Sequence, residues 1–137
     1  MCLRGVRELE RIWLAQDTSS DVAVFVVWSS QLGAAERHVP DATRLISDPR
    51  ARHYWDPDRL AGRAVTQRFA RMLDRSAEDA SPAWDVWLLF DRDARWDSLP
   101  PEPAWWEHQL DMLPADRHLD PERFAGKARE LRRSGRP

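Results

Sequence analysis

Val22-Ala23-Val24-Phe25-Val26-Val27-Trp28 is a run of seven apolar residues, four of them valine. A run this short and this rich in β-branched side chains is a strand, and the lack of alternating polar residues reads as a central strand covered on both faces. Upstream, Leu3, Val6, Leu9, Trp13 and Leu14 recur at helical spacing, giving an amphipathic helix over 4–16 that the polar Asp17-Thr18-Ser19-Ser20-Asp21 ends. Downstream, residues 29–33 form a loop. Ala34, Ala35, Val39, Ala42, Leu45 and Ile46 then supply the inner face of a helical stretch that Pro40 divides.

Residues 50–55 read as a brief edge strand. The Asp56-Pro57-Asp58 turn leads to a helix with Leu60, Ala61, Ala64, Val65, Phe69, Met72 and Leu73 inside. Residues 84–90 are a second strong strand, and Asp91-Arg92-Asp93 reverses it into a short hairpin partner at Ala94-Arg95-Trp96. Pro100, Pro101 and Pro103 start a helix carrying Trp105, Trp106, Leu110 and Leu113, and a last helix runs over 121–131. The order predicts an α/β chain with one central mixed four-stranded sheet flanked by helices, its strand of 22–27 paired in parallel with the strand ending at Phe90. A single domain over 1–137 is expected, with its core at about 20–114, an N-terminal helix at 4–16 and a mobile basic tail at 129–137.

The 137 residues carry a net charge of −2, which argues against a surface built for a polyphosphate. Lys127 is the one lysine among 21 basic residues, and arginine suits carboxylates and aromatic faces. The basic Arg129, Arg132, Arg133 and Arg136 belong to no nucleic-acid reader module, so a solvated terminus is the expectation. No segment has the length and apolarity to span a bilayer and no leader precedes the first helix, so a cytoplasmic location off the membrane is expected. Cys2 is the sole cysteine, placed where a terminus frays. One thiol forms no internal disulfide and gives no thiolate pair to a metal.

The segment over 24–35, VFVVWSSQLGAA, resembles the active-site strand and loop of the thioredoxin-like family. SPAWDVWLLFDRDARW over 81–96 resembles that family's loop proline, third strand and hairpin. The resemblance implies a three-layer thioredoxin-like domain of a bacterial branch without the Cys-x-x-Cys dithiol. The dithiol would fall at Ser29 and Leu32 in one register and at Leu32 and Ala35 in the other, and neither holds sulfur. Disulfide exchange needs a thiolate nucleophile, so the chain is expected to be redox-inactive. The resemblance further implies that Pro82 is the loop proline, cis in that family. It implies that an extended peptide binds around Trp28, Ser29, Ser30, Gln31, Pro82 and Trp84.

Residues 29–33 follow the carboxyl end of a strand, where open α/β sheets place ligands; a plainer role for Ser29 or Ser30 is a helix cap. His38, His53, His108 and His118 show no metal-ligand spacing, and His53 with Asp56 would still need a distant third ligand, so no metal is expected. Neither is a cofactor. Eight tryptophans supply core filler and candidate contact area. Trp105 and Trp106, adjacent on a helix, would diverge by about 100°, putting one at a rim that could meet a partner. The functional expectation is a binding or accessory protein whose partner is a protein or peptide. The alternatives are a small hydrolase or transferase using His38, His53 or His108 in the cleft, and a structural subunit of a homo-oligomer.

Overall fold

The computed structural model describes residues 3–78 and 80–135; Cys2 and Arg136 lie outside the described residues. Helix α1 (Leu3–Leu9) runs into a π-helical turn (Glu10–Leu14). Strand β1 (Val24–Ser29), helix α2 (Val39–Thr43), strand β2 (Ala51–Asp56) and helix α3 (Leu60–Met72) follow. Strands β3 (Val86–Leu89) and β4 (Trp105–His108) and helix α4 (Pro121–Ser134) complete the order. The Asp56 carboxylate accepts from Leu60 N and Ala61 N, both at 2.9 Å, and so starts α3. Asp120 caps α4 by accepting from Glu122 N and Arg123 N, with Pro121 in the first turn where its missing donor costs nothing.

The four strands do not form one sheet. β1 pairs in parallel with β2, and β3 pairs antiparallel with β4, as two separate two-stranded sheets. This corrects both the central mixed four-stranded sheet and the thioredoxin-like three-layer architecture. β1 has no pairing with β3: the strand expected at the centre stands at an edge, beside the segment over 50–55 expected to be peripheral.

Nor is β1 covered on both faces. Val24, Val26 and Trp28 turn inward while Phe25 and Val27 are exposed, so an unbroken apolar run conceals an ordinary period of two. The expected hairpin to Ala94-Arg95-Trp96 is absent, and β3 takes its partner from Trp105–His108, a stretch expected to be helical. Two adjacent tryptophans and a histidine favour extended backbone. Pro100, Pro101 and Pro103 precede the strand instead of opening a helix, and Pro114 closes the following loop. The loop proline also departs from the resemblance: no peptide among the described residues is cis, that before Pro82 included.

Two hydrophobic clusters hold these parts. The larger joins Leu9, Ile12, Trp13 and Leu14 to Ile46, Leu89, Phe124 and Ala125, with Val24, Val26 and Ala51 packed against it. The smaller sets Val65 and Phe69 of α3 against Trp106, with Val86 and Leu88 alongside. Alternate residues of β3 therefore serve different clusters. At Gly5 a Cβ would stand 2.7 Å from the Trp87 ring and 2.8 Å from Leu119, so α1 lies against β3 where only glycine fits.

A polar knot fastens the entrance to β2. Arg50 donates to Ser19 O (2.8 Å) and Leu14 O (3.2 Å) and is bridged to Asp48 at 2.5 Å. Asp17 is paired with Arg132 of α4 at 2.8 Å and lies 3.7 Å from Arg50. Burial opposes charge on Asp17. Hydrogen bonds from Ser19 and Trp13 and the Arg132 guanidinium outweigh it, holding the carboxyl down to about 2.

Candidate functional site

The carboxyl ends of the parallel strands β1 and β2 come first, since α/β chains commonly work there. Trp28 is buried and its indole donates to His53 Nδ1 at 3.1 Å across the β1–β2 pair. Ser30 Oγ donates to Pro57 O at 2.6 Å and ties the two post-strand loops together. Neither Ser29 nor Ser30 caps a helix, because the chain turns through Leu32 (φ 50°) and Gly33 (φ 76°) before α2 begins. Gln31 N closes a tight turn onto Ser29 O.

Pro82 stands against α3. A Cβ on Gly62 would come within 3.2 Å of it, and Ala83 N donates to Gly62 O (3.1 Å) and Thr66 Oγ1 (2.7 Å). Trp84 is half-buried just before β3. Ser30 and Pro82 thus both attach near the start of α3. Among the described residues no hydrogen bond links them or joins either to a histidine.

The histidines are engaged with backbone or with other rings. His38 Nδ1 accepts from Ala35 N at 3.1 Å on an exposed turn. His108 is fully buried: its Nδ1 accepts from Leu110 N at 2.9 Å and its Nε2 donates to Pro114 O at 2.8 Å. Burial, reinforced by His118 with its ring centroid 4.8 Å away, holds His108 below the usual imidazole range. No histidine among the described residues bonds a serine.

Trp105 and Trp106, on a strand, point to opposite faces. Trp106 is enclosed, 4.6 Å from Phe69. Trp105 is half-buried beneath Arg117 (4.1 Å) and donates to Glu107 Oε1 at 2.9 Å. Glu107 is fully buried and also accepts from Arg123 Nε (2.7 Å) and Asp120 N (2.8 Å). Three donors hold both oxygens of this enclosed carboxylate, so the group clamps β4 to α4 and is not open to a substrate.

The surface with spare recognition capacity is the outer face of β1–β2. Phe25 is 61% exposed, Val27 46% and Tyr54 48%, and the Phe25 and Tyr54 rings stack at 6.5 Å. Arg52, the register partner of Phe25, is exposed on the same face and makes no ion pair among the described residues. The register also decides which backbone groups are spent. Val24 N donates to Arg50 O, so Val24, Val26 and Trp28 turn their amides to β2 while those of Phe25 and Val27 point away.

This face was missed in the sequence because β1 shows no polar alternation. The signal lay in its partner, where exposed Arg52 and Tyr54 alternate with Ala51 and His53. Elsewhere, an open cleft of about 380 Å³ between α1 and α2 is lined by Arg7, His38 and several leucines. No three metal-ligating side chains gather among the described residues, and no helix there is long and apolar enough to cross a membrane. Comparison with known proteins finds no matching family model, no matching curated protein and no matching solved structure, so the thioredoxin-like resemblance has no support from relatives as well as none from topology.

Proposed function

We propose that the chain is a non-catalytic protein-binding domain that takes an extended, apolar and acidic segment of a partner on the outer face of β1–β2. One observation carries the reading: Phe25, Val27 and Tyr54 stand exposed together beside the unpaired cation of Arg52. Aromatic side chains offer about 150–250 Å² each, so these residues leave an apolar patch on the order of 300 Å². That area fits a short segment and a weak, reversible contact, well below what an obligate dimer buries. The charge selects the segment, since a carboxylate beside its apolar residues meets Arg52 and a lysine there is repelled.

The test is a titration of the full-length chain, isotope-labelled, with a Val-Asp-Val-Glu-Val peptide and with its Lys-for-acid counterpart. Amide shifts should gather at Phe25, Val27, Arg52 and Tyr54, with the acidic peptide at least tenfold tighter and the preference lost in Arg52→Gln. Shifts scattered elsewhere, equal binding of both peptides, or no shifts at millimolar peptide would each refute it.

A further inference from the structure

His108 fixes the loop that follows β4 by three separate contacts. Its Nδ1 receives the amide of Leu110, its Nε2 holds the carbonyl of Pro114, and its own carbonyl accepts from Leu119 N at 2.7 Å. The first contact needs an unprotonated Nδ1, because two N–H donors cannot face each other. We propose that residues 109–119 form an acid-released flap, latched by the neutral ring of His108 and freed when that ring takes a proton.

The surroundings favour release. His118 is exposed and its ring centroid lies 4.8 Å from that of His108, where it disfavours positive charge on the buried ring. The Pro114 carbonyl and, more weakly, Asp116 in the same loop pull the other way on His108. Glu107 lies on the opposite face of β4 and is committed to Arg123. The α3 side presents Phe69, which packs on Trp106, while Arg75 beyond the end of α3 holds Met112 O at 3.1 Å. Arg117 lies over the rings of Trp105 and Trp106. Guanidinium groups stay charged at any ordinary pH, so the contacts that change with acid are those of the His108 ring. Release would uncover Leu110 and Trp106, which are only 6% and 5% exposed in the closed form.

Amide hydrogen exchange on the full-length chain at pH 7.5 and 5.0, corrected for intrinsic rates, tests this directly. Leu110, Leu113 and Leu119 should lose at least tenfold in protection at pH 5.0 while Phe69 and Phe124 hold theirs. His118→Gln should move the half-loss to lower pH, and His108→Gln should abolish the pH dependence. If His108→Gln fails to fold, the His118→Gln shift decides. The flap is refuted by unchanged protection at Leu110, by loss in step with Phe69 and Phe124, or by an unmoved half-loss in His118→Gln.

Discussion

The two sheets exchange the roles their compositions suggest. β1, wholly apolar but for Ser29, is open to solvent on one face; β4, half of it ionisable, is the more deeply buried strand, with Glu107 and His108 fully enclosed. Hydrophobicity tells what a strand could bury, whereas partners determine what it does bury. Glu107 goes inside because Trp105, Arg123 and Asp120 supply three donors to it. Phe25 stays outside because none of the described helices covers that face of β1–β2. Each sheet also has its own polar clamp, inside the strand at Glu107 and at the strand entrance around Arg50 and Asp17.

The largest expected effect separates the clamps. Glu107→Ala strands the Asp120 amide and the Trp105 indole and leaves Arg123 without its buried partner, and should cost about 4 kcal/mol in urea denaturation. A cost below about 1 kcal/mol would mean that β4 is not held from within. Asp17→Asn should cost about 2.5 kcal/mol at neutral pH, because a carboxyl held near 2 against its ordinary value of 3.8 stabilises the fold by that amount. The sign follows: the unfolded chain takes up a proton first as pH falls. This stability is full above about pH 4 and lost toward pH 2, and the Asn variant should show less of that acid loss.

The smallest effect compares the faces of one strand. Val24→Ser, on the inner face, should cost about 1.5 kcal/mol. Phe25→Ser, on the outer face, should change stability by less than about 0.5 kcal/mol, although it removes the larger side chain. Equal losses from the two variants would show that the outer face is covered after all.

What could be read in the sequence followed what local chemistry decides. α3 is plain in its apolar period of Leu60 to Leu73, Pro40 divides the stretch before β2, and β1 and β2 lie close to the segments expected for them. Strand pairing was not legible, because it depends on which edges meet and nothing in residues 84–90 says that their partner is 105–108. The tryptophan pair illustrates the cost. Read as helical, Trp105 and Trp106 diverge by about 100° and one reaches a rim; on a strand they point to opposite sides, one into the α3 cluster and the other beneath Arg117. The Glu107–Arg123 pair was hidden for the same reason: it spans two elements, and sequence periodicity speaks only within one.

The contacts between α1 and α4 bear on the order in which the chain is made. Leu9, Ile12 and Trp13 leave the ribosome well before Phe124 and Ala125, on which they pack, and Asp17 likewise precedes its partner Arg132. A nascent chain that stops short of α4 therefore leaves part of the apolar face of α1 and the π-helical turn uncovered. Closing so long a loop is slow relative to local contacts. Helix α1 should stay sticky, and open to chaperones, until α4 has been made.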